Sequence, residues 1–349
     1  MDVIEDILRI YGYNNIEIGD NLMSTLSYVK KPDSHKLQVI ISEQLTAQGF
    51  NEVLNNSLTK IGYYGSLASY PETQCVKIIN PLSSDLSVMR QTLLFGGLEN
   101  VSRNINHRNA DLRLYEFGNC YQYHPDNKKA DEILSEYTED YHLGLWVTGN
   151  KFTDSWSNGS QKSSIYEMKA YVQNILLRLG FDLKKLKIAD YTSDIYSEAL
   201  SISLPNKKLL GTFGIVSEAA RKSTDIDAEV YFADLNWNTI LSALNTNSVK
   251  YKELPKFPEV RRDLAFLLDK NIAFAEIEQI AFETERKLLK EVNLFDVYEG
   301  KNLEAGKKSY AINFILQDEN KTLTDNVIEG VMKIIQQNIE TKLNARLRS

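Results

Sequence analysis

The stretch LPKFPEVRRDLAFLLD contains two adjacent arginines, a residue type that can bind anionic or planar groups. Arg261 and Arg262 follow two prolines that stop any helix, and they precede an apolar run typical of a buried strand. A guanidinium group can bind phosphate through two parallel hydrogen bonds or stack on a planar ring. The alternative is that the arginines pair with Glu259 or Asp263, and the residues alone favour this pairing.

An acidic and an aromatic residue alternate in the stretch FDVYEG. Because side chains at i and i+2 of a strand point to the same face, we expect Asp296 and Tyr298 to lie side by side. A carboxylate can accept hydrogen bonds from the two N–H donors of guanine, and a tyrosine ring can stack on an unpaired base. The alternative is that Tyr298 packs beneath a helix.

Three carboxylates, those of Asp2, Glu5 and Asp6, occur at i, i+3 and i+4 of an amphipathic helical pattern. On one helix face they could hold a hard cation such as Mg²⁺ through oxygen atoms. Acidic side chains are also favoured in the first turn of any helix, where the helix dipole stabilises them. The spacing alone leaves both interpretations open.

The rest of the sequence offers little for enzymatic chemistry. The phosphate-binding motifs G-x-x-x-x-G-K-[ST] and G-x-G-x-x-G are absent, and so is the nucleophile motif G-x-S-x-G. Neither the four histidines nor the two cysteines have the spacing of a metal site, and two cysteines suit a reducing compartment. A net charge of −7 means that any nucleic-acid site must be local. No apolar run reaches the roughly 18 residues of a membrane span, so we expect a cytoplasmic protein.

The elements that must position these residues form two groups. Residues 1–250 read as helices packed on a largely antiparallel sheet, which is an α+β domain. The predicted elements are a helix ending at Gly12, a helix capped by Gly49, a strand ending at Pro81, a strand at 86–89, a helix from Leu93, strands within 111–123 and 141–150, a helix at 164–180, and a strand passing into a helix within 208–222.

A polar stretch punctuated by prolines, TNSVKYKELPKFPEV, predicts a domain boundary. The elements predicted beyond it are strand 261–268, helix 274–290, strand 292–298, strand 308–316, helix 325–343 and a short strand 345–348. This βαββαβ order is that of the ferredoxin-like split unit.

Six stretches follow one another along the chain: DVIEDILRIYGYNNI, INPLSSDLSVMRQTLL, RLYEFGNCY, FPEVRRDLAF, LFDVYEGKNLEAGKKSYAINF and TLTDNVIEGVMKIIQQNIETKL. Together they closely resemble the C-terminal part of the β subunit in the bacterial phenylalanine–tRNA ligase family. The resemblance covers essentially the whole chain and implies a cytoplasmic α₂β₂ assembly that attaches phenylalanine to tRNA with ATP. It also implies a piece of a longer protein, which agrees with a first helix that starts without an N-cap.

The resemblance implies four segments. Residues 1–19 end a truncated preceding domain, and residues 20–245 form a class II aminoacyl-tRNA synthetase-like antiparallel sheet domain that has lost catalysis. Residues 246–254 are a linker, and residues 255–349 form a ferredoxin-like βαββαβ anticodon-binding domain. The family's editing module lies upstream, so none of its residues are expected here.

In the family, the carboxylates that match Asp2, Glu5 and Asp6 are linked to Mg²⁺ in the intact assembly, although an upstream acidic ligand is missing here. The stretch around Pro81 resembles the motif through which this domain pairs with the catalytic α subunit. We predict that Arg90 makes a polar contact there, and a simple surface role is the alternative.

A catalytic role for the first domain is not expected. Arg113 and Glu116 lie in LRLYEFGNCY, which resembles a motif 2 strand. The glycine-rich strand ending in arginine that binds ATP in motif 3 is not evident, because in the nearest match Arg221 falls inside the following helix. We interpret these three residues as structural, and we expect the α subunit to bind ATP.

For the second domain, the resemblance implies a set of residues that face the anticodon of phenylalanine tRNA, whose first base is guanine. The predicted set is Asp296, Tyr298, Ala265, Ser309, Arg261 and Arg262.

Lys307 and Lys308 are predicted to be a loop-borne pair that contacts phosphate, although a solvated charge pair is the default reading. From Pro255 onward the chain holds 15 Lys/Arg and 16 Asp/Glu, a net charge of −1, so recognition must use a modest local patch. Because fold alone does not decide function, the alternative is a ferredoxin-like amino-acid-sensing regulatory protein or a scaffold.

Overall fold

The computed structural model describes residues 2–17, 33–129, 131–132, 134–244, 251, 253–300, 303–304 and 306–348. The chain divides into two compact units, Met1–Val249 and Lys250–Ser349, which we call unit 1 and unit 2. The predicted linker at 246–254 and the predicted domain start at residue 20 fall largely outside the described residues.

Unit 1 combines helices with one large sheet. Its helices are α1 (Asp2–Tyr11), α2 (Ser34–Ala47), α3 (Leu94–Asn106), α4 (Ile165–Arg178), α5 (Glu218–Lys222) and α6 (Trp237–Leu244). Its strands are β1 (Asn51–Glu52), β2 (Leu58–Thr59), β3 (Val88–Met89), β4 (Leu112–Tyr123), β5 (Tyr137–Thr148), β6 (Asn150–Phe152), β7 (Gln161–Lys162), β8 (Lys187–Asp190), β9 (Tyr196–Ser203), β10 (Leu209–Val216) and β11 (Val230–Asn236).

The large sheet has the order β1-β4-β5-β11-β10-β9-β8 and is antiparallel apart from the β1–β4 pair. Apolar side chains cover both of its faces because successive strand residues point to opposite sides. Leu145 packs in the cluster that includes residues of α2, α4 and α6, whereas Trp146 packs in the cluster that includes residues of α3 and α5. The predicted arrangement of helices on a largely antiparallel sheet is therefore confirmed.

The strand predicted to end at Pro81 is wrong. Only an isolated bridge between Lys77 and Val88 forms in this stretch, and Pro81 lies exposed in a loop. Proline has no backbone N–H to donate to a sheet, and it restricts the residue before it.

Unit 2 contains β12 (Val260–Asp269), α7 (Phe274–Thr284), β13 (Leu289–Tyr298), β14 (Lys307–Leu316), α8 (Asp325–Leu343) and β15 (Arg346–Leu347). Its sheet has the order β13-β14-β12-β15 and is antiparallel throughout. The predicted βαββαβ order is confirmed.

Both helices of unit 2 pack on one face of this sheet. Phe266, Ile312 and Phe314 form a core with Ile280 of α7 and Ile335 of α8. We call the opposite face the open face. Its positions on the two central strands are Arg261, Asp263, Ala265 and Leu267 on β12, and Ser309, Ala311, Asn313 and Ile315 on β14.

The helix predicted at 274–290 is too long. α7 ends at Thr284, and Glu285 is extended, with φ −132° and ψ 104°. The Glu285 carboxylate accepts hydrogen bonds from the backbone N–H groups of Lys287 and Leu288, at 2.8 and 3.0 Å. This side chain supplies a local partner that competes with continuation of the helix, so β13 starts earlier than predicted, at Leu289.

Candidate nucleic-acid interface

The open face brings together four of the predicted anticodon residues. Asp296 is the cross-strand partner of Ala311, which is in turn the partner of Ala265. Tyr298 is the partner of Ser309. Because directly opposed residues share a face, an acid, an aromatic ring, a small residue and a hydroxyl group meet on one surface.

A β-bulge in β13 produces this arrangement. The register shifts between Leu294, which opposes Ile312, and Asp296, which opposes Ala311. Phe295 is the extra residue, and beyond it the alternation of the strand is reversed. Without the bulge, Asp296 would have the same orientation as Leu294 and would face the helices.

Tyr298 lies on the open face and not beneath a helix, so that alternative is wrong. Its side chain is 37% exposed. The guanidinium carbon of Arg348 lies 5.3 Å from the ring centroid, within the range of a cation–π contact. A Cβ atom at Gly300 would collide with the Tyr298 hydroxyl, so glycine at that position leaves room for the ring.

Arg261 belongs to the same surface. Its Nε donates to Asp263 Oδ1 at 2.8 Å, and its guanidinium carbon lies 5.3 Å from the ring centroid of Phe295. The pairing with Asp263 that the residues alone favoured is therefore present. This pair is exposed and leaves the guanidinium group beside an exposed aromatic ring.

Arg262 does not join this surface, because neighbouring residues of a strand face opposite sides. Its cross-strand partner is Phe314, which lies in the core beneath the helices. Its Nη2 lies 3.3 Å from Asp325 at the start of α8. The prediction that Arg262 belongs to the anticodon-facing set is therefore wrong for the open face.

Lys307 and Lys308 are not borne on a loop, because they begin β14. Lys307 forms an ion pair with Asp269 at 2.8 Å. Lys308 is 7% exposed, and its Nζ donates to the hydroxyl of Tyr310 at 2.6 Å. The prediction of a phosphate-binding pair is therefore wrong for Lys308, whose ammonium group is buried and already bound.

The sequence analysis missed Phe295 and Arg348. A run of period-two alternation gives no sign of an inserted residue, so Phe295 could not be placed beside Asp296. Arg348 directly follows the short last strand, β15, and its backbone N–H donates to the Ala265 carbonyl at 2.8 Å. The alternating arginines of the terminal stretch ARLRS are a signal that could have indicated it.

In unit 1, the stretch around Pro81 is apolar and exposed. The side chains of Ile79 and Leu82 are 94% and 98% exposed. Arg90 does not lie on this surface, contrary to both readings of its role. It is buried, its Nη1 lies 2.6 Å from Glu116 Oε1, and a Cβ atom at Gly118 would collide with its guanidinium group.

The residues that resemble a motif 2 strand are engaged inside the protein. Arg113 donates from Nη2 to the Lys151 carbonyl at 3.0 Å and lies 3.3 Å from Glu167. It also donates to the Tyr171 hydroxyl, and burial together with the hydrogen bond to Glu167 raises the pKa of Tyr171 to about 12. Arg221 donates to three backbone carbonyls around α5.

The predicted metal ligands lie on α1, which is exposed. Glu5 accepts a hydrogen bond from Arg9 at 2.6 Å. Among the described residues, no group of three or more His, Cys, Asp or Glu side chains is arranged to hold a metal ion. By themselves, Asp2, Glu5 and Asp6 therefore do not fit a Mg²⁺ ion. The described residues also contain no helix long and apolar enough to cross a bilayer.

Comparison with known proteins gives consistent matches. Residues 20–237 match the family described as "Phenylalanyl tRNA synthetase beta chain CLM domain", and residues 255–348 match "Ferredoxin-fold anticodon binding domain". The chain is 56% identical to the phenylalanine–tRNA ligase beta subunit of Bacteroides thetaiotaomicron over 348 residues, which is 99% of this chain and 42% of that protein. It is 45% identical to the same subunit of Porphyromonas gingivalis over 349 residues, which is 100% of this chain and 43% of that protein.

One similar solved structure is the pyrrolysyl-tRNA synthetase of Desulfitobacterium hafniense, with a TM-score of 0.45 and 13% identity over 62% of this chain and 71% of that one. A likeness at this level carries no argument. The two family matches cover most of the chain, which spans about two fifths of the length of its curated relatives. The chain belongs to the phenylalanyl-tRNA synthetase beta chain family, and its second unit has the ferredoxin fold of an anticodon-binding domain.

Proposed function

We propose that this chain is a non-catalytic part of a phenylalanine–tRNA ligase beta subunit and recognises the anticodon of phenylalanine tRNA. The observation that carries the proposal is the convergence of Asp296, Tyr298, Ala265 and Ser309 on the open face of unit 2. The relatives are named as phenylalanine–tRNA ligase beta subunits, which indicates a ligase reaction. The family that matches unit 2 is an anticodon-binding domain, which indicates tRNA as the ligand.

The geometry suits an unpaired guanine. The Asp296 carboxylate is exposed and can accept hydrogen bonds from the N1 and N2 donors on the Watson–Crick edge of the base. The ring of Tyr298 offers a stacking surface beside it. Ala265 and Ala311 have short side chains, which leave space above the centre of the sheet for a planar ring.

Binding to this surface is modest in strength. Residues 255–349 carry a net charge of −1, and Arg261, Lys307 and Asp263 already form ion pairs on or beside the open face. Few cations are thus available to neutralise phosphate, and phosphate contacts supply much of the affinity in nucleic-acid complexes. Most of the affinity for tRNA comes from other parts of the assembly, while unit 2 discriminates between bases.

The role of unit 1 is to support the catalytic α subunit through its class II synthetase-like domain. Ile79 and Leu82 beside Pro81 expose apolar surface that a partner would bury. In this proposal, ATP-dependent attachment of phenylalanine occurs on α in a cytoplasmic α₂β₂ assembly. Any Mg²⁺ bound by Asp2, Glu5 and Asp6 requires further ligands from that assembly.

The test is a titration of the chain with phenylalanine tRNA and with the same tRNA carrying a changed first anticodon base, at one low salt concentration. We expect a preference for the native anticodon that is lost in Asp296→Ala and in Tyr298→Ala. Val297→Ala is the matched control, because Val297 lies on the same strand and opposes the core residue Tyr310. Equal binding of both RNAs by the unaltered chain would contradict the proposal.

A further inference from the structure

The bulge in β13 exposes a second aromatic ring on the open face. Phe295 is 52% exposed, although phenylalanine has no polar group that would favour contact with water. It directly precedes Asp296, and the shifted register opposes both residues to the segment of β14 around Ala311. The acid is therefore flanked by an aromatic ring on each side along the strand, those of Phe295 and Tyr298.

Each of these two rings has an arginine beside it. The guanidinium carbons of Arg261 and Arg348 lie 5.3 Å from the ring centroids of Phe295 and Tyr298, respectively. One arginine lies at the start of β12, and the other directly follows β15. The open face thus contains two aromatic rings, each with an arginine guanidinium group beside it.

Polar groups continue the surface next to Phe295. Asn293 lies two residues before Phe295 and donates to the amide oxygen of Asn313 at 3.3 Å. Asn313 is 7% exposed and lies on the open face of the central strand β14. These amides resemble the edge groups of a base in their donors and acceptors.

The spacing of the two rings suits consecutive nucleotides. Phe295 and Tyr298 are three residues apart, so their Cα atoms are separated by roughly 10 Å or less along a bulged strand. Proteins that bind single-stranded nucleic acids use such a series of aromatic rings, each of which stacks with one base.

We infer that Phe295 and Arg261 form a second base-binding subsite, which stacks an unpaired nucleobase adjoining the one held by Asp296 and Tyr298. This inference rests on the proposed function and extends it from one base to two. Phe295 provides the stacking face. Arg261 supports that ring through its cation–π contact, and its pairing with Asp263 fixes the position of the guanidinium group.

The experiment is a double-mutant cycle between Phe295→Ala in this full chain and an abasic site in an anticodon stem-loop RNA. The abasic site replaces, in turn, each base adjoining the first anticodon base. For one of these RNAs we expect the abasic site to weaken binding to the unaltered chain by about 5-fold or more, the lower end of the loss per stacked base. The same abasic site should have no further effect in Phe295→Ala, because the stacking partner is already absent.

Two further variants separate stacking from structure. Phe295→Leu keeps an apolar side chain at the bulge without a π-face and should behave like Phe295→Ala. Phe295→Trp should retain the affinity of the unaltered chain. The inference would be overturned if, for both abasic RNAs, the loss of affinity caused by Phe295→Ala and the loss caused by the abasic site simply added. Additive losses would show that Phe295 touches neither base.

The same titrations distinguish this inference from the proposed function. If the unaltered chain does not discriminate at the first anticodon base while coupling at Phe295 persists, the proposed function fails and the stacking subsite stands. If discrimination persists and coupling is absent, only the second subsite fails.

Discussion

At the scale of single residues, several charged side chains in this protein form ion pairs inside the fold. Arg90 was predicted to contact a partner and Arg113 was interpreted as structural, and both bind buried carboxylates. A sequence cannot show which carboxylate lies opposite a given arginine, because the partners are 26 and 54 residues away along the chain.

The Arg90–Glu116 pair gives the first prediction. Arg90→Ala leaves the Glu116 carboxylate, which is 1% exposed, without its counter-charge. Loss of one partner of a buried ion pair typically costs about 3–5 kcal/mol, so we expect a decrease of that size in the free energy of unfolding of unit 1, measured in urea. Arg9→Ala removes an exposed pair with Glu5 and should cost about 0.5 kcal/mol or less. Equal costs for the two variants would contradict the assignment.

A second prediction concerns His142 and Asp234, whose Nδ1 and Oδ1 atoms are 2.6 Å apart. Burial alone would lower the pKa of His142, but the charge and hydrogen bond of Asp234 outweigh it and raise this pKa above 6.5. The resulting stabilisation is complete below pH 6.5 and is lost as the pH rises through the raised pKa. The stability advantage of the unaltered chain over Asp234→Asn should therefore shrink between pH 6 and pH 9 in thermal unfolding. An advantage that stays constant or grows would count against the ion pair.

At the scale of elements, the type and order of the helices and strands of unit 2 could be predicted, because each has a clear hydrophobic period. The end of α7 could not, since it depends on the capping of a turn by Glu285. The bulge at Phe295 is the most consequential miss. It decides which face carries Asp296, and the local sequence FDVYEG reads the same with or without it.

Deletion of Phe295 tests whether it is the extra residue of the bulge. Without it, Leu294 would still oppose Ile312 and Asp296 would still oppose Ala311, because the bulged strand has one residue more than its partner at this point. We therefore expect the deletion variant to keep the amide hydrogen-exchange protection of β13. Deletion of Val297 should lose protection, because Tyr298 would move to the position opposite the core residue Tyr310. Equal loss of protection in the two deletion variants would show that Phe295 is not the extra residue.

At the scale of the whole molecule, the division into two units separates two tasks. Unit 2 carries the proposed base-recognition surface, and unit 1 carries a largely antiparallel sheet on which Arg113 is already bound by Glu167, Tyr171 and a backbone carbonyl. The side chain of Arg113 is mostly buried and its Nε and Nη2 atoms are already hydrogen-bonded, so it is poorly placed to grip ATP phosphate. We therefore expect no ATP–pyrophosphate exchange from this chain alone with phenylalanine, whereas the assembly with the α subunit should be active. Exchange by the isolated chain at the rate of the assembly would overturn the non-catalytic role.

The composition of the whole chain limited any nucleic-acid site to a local patch, and the resemblance to a known family predicted which residues would form it. The structure places Arg262 and the phosphate candidate Lys308 away from the open face and places Phe295 and Arg348 beside the predicted residues. Each placement follows from which face of a strand a residue occupies, and this depends on the register of pairing in the folded sheet.

The central claim is that the Asp296 carboxylate reads an unpaired guanine on the open face. The most direct test is the affinity of the unaltered chain and of Asp296→Asn for two stem-loop RNAs that have guanine or adenine as the first anticodon base. An asparagine amide can donate to adenine N1 and accept from its N6 amino group, whereas a carboxylate can only accept hydrogen bonds. We predict that the unaltered chain prefers guanine by about 5-fold or more and that Asp296→Asn loses or reverses this preference. The same guanine-to-adenine ratio in both proteins would contradict the claim.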